Sequence, residues 1–139
     1  AYDPRDHVPR ASEERRAQVL VDELRELPGP VLMTGHGWYL ADAGLPTTAQ
    51  GAAIADVLRG DVGTTSQDLA RELRDRIADR HWGSIVVDST EGYSYLPPKL
   101  RECYRPVGPL FDDGRPLLPV TGTLTGPATV WAPKDAGSC

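Results

Sequence analysis

The apolar positions along the chain fall into two periods, one near 3.6 residues and one of short continuous runs. Ala17, Leu20, Leu24 and Leu27 recur at helical spacing, with Ser12 as an N-cap candidate and Glu13 and Glu14 in the first turn, where the helix dipole favours anions. Pro28-Gly29-Pro30 stops that helix, and Val31-Leu32-Met33 reads as a buried strand feeding a loop that contains Thr34, Gly35, His36 and Gly37. After Gly44 and Pro46, Thr47 with Gln50 forms a capping-box pattern for a second helix carrying Ile54, Val57 and Leu58 and ending at Gly60. Its alanines, Ala49, Ala52, Ala53 and Ala55, suit close packing on a sheet. Thr65 with Asp68 repeats the pattern for a third helix, with Leu69, Leu73 and Ile77 as its core stripe and its end near Arg80. Gly83 releases the chain into Ser84-Ile85-Val86-Val87-Asp88, a second buried strand rich in β-branched residues. A short helix from about Pro98 to Cys103, an extended segment from Tyr104 to Phe111 and a last strand at Ala128–Ala132 complete the pattern.

This order predicts an α/β fold, a small Rossmann-like three-layer sandwich with a mostly parallel sheet joined by right-handed crossovers. Seven of the thirteen prolines lie from Pro97 to Pro127, so the Pro-rich C-terminal third is expected to hold loops and edge strands. At 139 residues one domain, 1–139, is expected, with residues 1–10 as an extended lead-in punctuated by Pro4 and Pro9. A chain of this size buries roughly 68–70% of its unfolded surface, enough for a core of its own.

Composition narrows the function classes. Hydrophobic residues make up 40% and charged residues 25%, which is ordinary globular usage and argues against wholesale disorder. The formal charge of −5 and the lack of any basic block leave a nucleic-acid backbone without electrostatic support. No apolar run reaches the roughly 20 residues that span a bilayer, and no export-signal pattern is present.

The candidate chemistry sits at strand ends. Gly35, His36, Gly37, Trp38 and Tyr39 follow the first strand, where open α/β sheets bind ligands. Glycines there let backbone N–H groups approach an anion, and an imidazole can exchange a proton near neutral pH. The alternative for this stretch is a structural turn whose aromatics pack on neighbouring helices. The loop has neither the G-x-G-x-x-G spacing of a dinucleotide fingerprint nor the ending of a P-loop, so no cofactor is implied. Asp88 closes the second strand and is expected to line the same crevice as His36. Asp88, Ser89 and His36 evoke a hydrolase triad, but Ser89 lacks the flanking glycines of a nucleophile elbow, and N-capping by Asp88, Ser89 or Thr90 is the alternative. His7, His36 and His81 are dispersed, and no paired His or Cys motif suggests a metal centre. His81, beside Trp82 at a helix end, suits a favourable dipole contact. Cys103 and Cys139 are the only cysteines, and two readings stand: two reduced thiols, or a bridge that ties down the chain end and implies an oxidising compartment.

The series Pro30-Val31-Leu32, His36-Gly37-Trp38-Tyr39, Ala43-Gly44-Leu45-Pro46, Ala49-Gln50 and Ile54-Ala55-Asp56-Val57-Leu58-Arg59 resembles the soluble C-terminal domain of polytopic actinobacterial membrane glycosyltransferases. These are similar to the polyprenyl-phosphate-sugar-dependent GT-C superfamily. Leu118-Pro119-Val120-Thr121-Gly122, Pro127 and Val130-Trp131-Ala132-Pro133 also look like the end of such proteins, so the resemblance runs from about Leu27 to Pro133. It implies a non-catalytic extracytoplasmic accessory domain, tethered to the membrane through hydrophobic segments upstream. Its partners would be the transmembrane part of the same chain and a glycan or polyprenyl-linked sugar. The catalytic acidic residue of that superfamily lies in a part with no counterpart here, so no catalytic residue carries over. The rival expectations are a free-standing small Rossmann-like enzyme or ligand-binding domain acting at the Gly35–Tyr39 loop with Asp88, and a pure interaction module.

Overall fold

Consecutive buried apolar residues need cover on both faces of a strand, as Val31-Leu32-Met33 and Ile85-Val86 do. The computed structural model describes residues 8–60, 63–88, 95–119, 125–135, 137 and 139. In it β1 (Val31–Met33) lies parallel to β2 (Ser84–Asp88), with Leu32 opposite Ile85. A parallel pair needs a crossover. The chain supplies it with α2 (Trp38–Asp42), α3 (Gly51–Arg59) and α4 (Thr65–Ala78). Before β1 comes α1 (Ala11–Glu26); after β2 come α5 (Leu100–Cys103), β3 (Tyr104–Pro109) and β4 (Pro127–Pro133).

The sheet runs β1-β2-β4-β3. Its β2–β4 and β3–β4 pairs are antiparallel, so the fold is α/β with a mixed sheet in which one strand pair of three is parallel. The expected mostly parallel sheet is corrected on that point, because β4 pairs antiparallel with both of its neighbours and no helix lies between β3 and β4 among the described residues. The proline argument needs the same refinement. β3 is an edge strand with Pro106 beside a register shift, as expected, but β4 lies between β2 and β3 and carries its prolines only at its two ends. There the missing N–H interrupts no ladder at the strand centre.

Alternation along the strands divides the core. Val31, Met33, Val86 and Val130 pack with Leu20, Val21 and Leu24 of α1, Leu40 of α2, and Leu110 and Phe111. Leu32, Ile85 and Tyr104 face the other way, against Leu73 and Ile77 of α4, Leu100 and Cys103 of α5, and Trp82, with Ile54 and Leu58 of α3 alongside. Tyr104 is fully buried, yet its hydroxyl donates to the Trp82 carbonyl at 3.0 Å and accepts from the Trp82 N–H at 3.2 Å. Burial pushes its phenol up from the ordinary value.

The helix starts differ from the spacing-based expectation. The α1 N-cap is Arg10, whose backbone N–H donates to the Glu13 carboxylate, so the reciprocal contact begins two residues before Ser12. In α3 the N-cap is Gln50 rather than Thr47, and Ala49, Ala52 and Ala53 are exposed. The close approach falls instead to the buried Gly51, where a Cβ would collide with the Thr34 carbonyl oxygen and crowd the Tyr95 ring. In the second turn of α1, Arg16 makes paired hydrogen bonds to Asp113 at 2.9 and 2.8 Å, with its guanidinium 4.2 Å above the Phe111 ring. This pairing holds the Asp113 carboxyl down at about 2.

A Cys103–Cys139 disulfide joins buried α5 to the last residue, with the Cα atoms 4.4 Å apart, and leaves no free cysteine. A bridge of this kind points to an oxidising, extracytoplasmic setting. No helix among the described residues is long and apolar enough to cross a membrane.

Two outcomes are expected. Unreduced, denatured protein should titrate with no free thiol and show two after reduction, and reduction should lower stability by about 3–4 kcal/mol on the chain-entropy account of a 36-residue separation. Asp113 contributes stability in its ionised form, which is present above the ordinary carboxylate range and lost as pH falls toward 2. Asp113→Asn should therefore lower the melting temperature at pH 7 by a few degrees at most, an effect that shrinks as pH falls through about 2.

Candidate functional site

Beyond Met33 the β1–β2 pairing continues through Thr34. Its backbone N–H donates to the Val86 carbonyl at 3.1 Å, and its Oγ1 accepts from the Asp88 N–H at 3.3 Å. Thr34 thus holds Asp88 at the carboxyl end of the parallel pair. Gly35 comes next, where a Cβ would overlap the Asp88 carboxylate, so only a residue without a side chain lets the two strand ends close up. The chain then turns at His36 with φ of +29°, a left-handed conformation that is costly for a residue other than glycine and that clusters at functional sites.

That turn brings His36 Nδ1 to 3.1 Å from Asp88 Oδ2, with side chains only 14% and 7% exposed. An ionised carboxylate only accepts, so Nδ1 carries the shared hydrogen, and in the neutral ring Nε2 keeps its lone pair. The second carboxylate oxygen, Asp88 Oδ1, is buried with no hydrogen-bond partner among the described residues. The Tyr95 hydroxyl is in the same condition, and burial together with the Asp88 charge pushes its ionisation to about 12. Tyr95 therefore stays a neutral phenol with a hydrogen to donate.

Asp88 lines a cleft of about 220 Å³ whose other polar groups are Thr34, His36, Gln50 and Thr125. Trp38 forms one wall, 52% exposed, its ring 4.9 Å from the His36 ring in an edge-on arrangement. A larger groove of about 550 Å³ shares His36 and Trp38 with this cleft and runs past Tyr39, Leu117 and Leu118 to the first turn of α1.

The fold thus assembles five of the sequence candidates, Gly35, His36, Trp38, Asp88 and, at the groove, Tyr39. Gly37 serves as the N-cap of α2 and has its α-carbon close against Thr48. Tyr39 packs against the core, whereas half of Trp38 meets solvent. Ser89 and Thr90, the other triad and capping candidates, lie outside the described residues, as does His7. The sequence spacing assigns Gln50 to a capping box and says nothing of Tyr95 or Thr125. A tyrosine 7 residues beyond a strand end carries no periodic signal, and only the fold brings it beside Asp88. No protein-family model matches the chain, and no curated protein or solved structure matches it either.

Buried Tyr104 and half-buried Tyr95, whose hydroxyls are both shielded from water, should respond oppositely to loss of those hydroxyls. Tyr104→Phe removes two satisfied hydrogen bonds and should cost about 1–2 kcal/mol, whereas Tyr95→Phe removes a buried group without a partner and should be neutral or stabilising in urea unfolding. Gly35→Ala should cost about 1–3 kcal/mol through overpacking, and should move the His36 ring resonances as Asp88 is displaced.

Proposed function

We propose that this chain is a non-catalytic, extracytoplasmic ligand-binding domain, the accessory part of a membrane glycosyltransferase, and that its Asp88 cleft takes a hydroxyl-bearing glycan. The observation that carries the reading is Asp88 Oδ1, a buried acceptor without a partner in a cleft otherwise lined by hydroxyl, amide and imidazole groups. Such a group is costly unless something donates to it, and a ligand hydroxyl does so. A half-exposed Trp38 wall offers an apolar face to the C–H side of a sugar ring. The volume suits one ring, below the roughly 300–1,000 Å³ of drug-sized sites.

The disulfide supports the compartment, and the resemblance to C-terminal domains of membrane glycosyltransferases supports the tether and the transmembrane partner. The Rossmann-like kinship belongs to this proposal too and rests on the β1–crossover–β2 unit alone. A glycan is preferred over a polyprenyl-linked sugar phosphate as the occupant, because Asp88, Glu13 and Glu14 are acidic and no Lys or Arg is among the described residues lining the cleft or the groove.

A second reading, a small enzyme, has the His36–Asp88 contact in its favour, since a carboxylate-held imidazole is the form a general base takes. The Thr34 hydroxyl in the cleft is committed to the Val86 carbonyl and the Asp88 N–H rather than to His36, which ranks this reading second.

Titration with neutral mono- and oligosaccharides, followed by protein NMR shifts and tryptophan fluorescence, tests the first reading. Binding should perturb His36 and Asp88 and weaken at least tenfold in Trp38→Ala, a surface change that leaves the fold intact. Absence of binding by every neutral saccharide would sink it. Hydrolysis of ester or glycoside substrates above blank, abolished in both His36→Ala and Asp88→Ala, would promote the enzyme instead.

A further inference from the structure

Resting on the glycan reading, we infer that the ligand is a neutral amphiphile: its hydroxyl-bearing head sits against Asp88, and an apolar substituent lies in the adjoining groove along Trp38, Tyr39 and Leu118. The polar cleft and the larger groove are not separate features, since His36 and Trp38 line both. The cleft holds the unpartnered Asp88 Oδ1 on a side chain only 7% exposed, whereas the groove is lined mainly by apolar surface, with Glu13, Glu14 and His36 as its ionisable groups. Trp38 and Leu118 stay 52% and 40% exposed and both line the groove, so two of the large apolar side chains left in water among the described residues meet there.

Charge decides the kind of amphiphile. Glu13 and Glu14 border the groove and Asp88 floors the cleft, and no described Lys or Arg lines either. An anionic linker between head and tail would lie between these carboxylates with no Lys or Arg to neutralise it and only the His36 imidazole near, so a sugar joined to its tail through phosphate is disfavoured. An alkyl or acyl glycoside fits. A peptide with basic and apolar residues shares the charge logic, but it offers no ring-sized hydroxyl head for the buried acceptor.

The test compares methyl, hexyl and octyl hexopyranosides of gluco, galacto and manno configuration below their micelle concentrations, with octyl phosphate and a Lys-Leu-Leu-Lys peptide alongside. Calorimetry on the intact, disulfide-bonded domain is the readout. Affinity should rise about fourfold for each buried methylene, giving about ten-thousandfold from methyl to octyl for full burial and at least tenfold for partial burial. Leu118→Ser should remove most of that chain-length gain and leave the methyl glycoside unchanged, while octyl phosphate should bind at least tenfold more weakly than the octyl glycosides. Equal affinity for methyl and octyl glycosides overturns the inference and leaves the glycan reading standing. Octyl glycosides that bind with no preference among head groups, and no loss in Asp88→Asn, overturn the glycan reading and the amphiphile with it. Tighter binding of octyl phosphate or of the peptide than of any octyl glycoside also overturns the inference.

Discussion

The parallel β1–β2 pair is the constraint on which the remaining structure depends. Two parallel strands cannot be joined by a hairpin, so the chain between Met33 and Ser84 must leave the sheet and return, and it spends that length on α2, α3 and α4. A strand pair covered on both faces must be apolar at consecutive positions, as Val31-Leu32-Met33 and Ile85-Val86 are. The two halves of the core follow from this alternation. One is closed by α1 and α2, the other by α3, α4 and α5.

The same pair produces the candidate site. Its carboxyl end is where Thr34 reaches across to the Asp88 backbone, where Gly35 leaves room for the carboxylate, and where His36 turns back toward it. Two close approaches, at Gly35 and Gly51, draw the strand ends and the start of α3 together, so the cleft is enclosed by backbone as much as by side chains. Tyr104, elsewhere in the core, has its hydroxyl satisfied twice, while Asp88 Oδ1 is buried in the cleft with no partner. That part of the polar deficit lies where a ligand can relieve it.

The antiparallel half has a different role. β4 extends the sheet beyond β2 and β3 closes its edge, and the bridge from Cys103 to Cys139 fastens the chain end to buried α5. These elements complete the layer against which the β1–β2 unit is held. The Arg16–Asp113 contact does comparable work on the surface, tying the segment after Phe111 to α1. None of them enters the cleft itself.

The sequence by itself determined the local elements. β1 and β2 appear over the residues that their apolar runs mark, and α1, α3 and α4 over the stretches with helical spacing, because period and β-branching act through near neighbours. It also marked Gly35, His36, Trp38 and Asp88 as strand-end residues of interest, since position after a strand is legible without coordinates. The cysteine pairing was one of two open readings until both atoms were placed. Tertiary structure alone decided that β4 runs antiparallel between β2 and β3, because strand direction depends on which distant surface a segment covers. It alone decided that Gly51, not the exposed alanines, makes the close contact of α3, and that Tyr95 lies beside Asp88. Spacing along a chain records which face a side chain takes, but not which remote atom will meet it there, and the unpartnered oxygen of Asp88 exists only in that meeting.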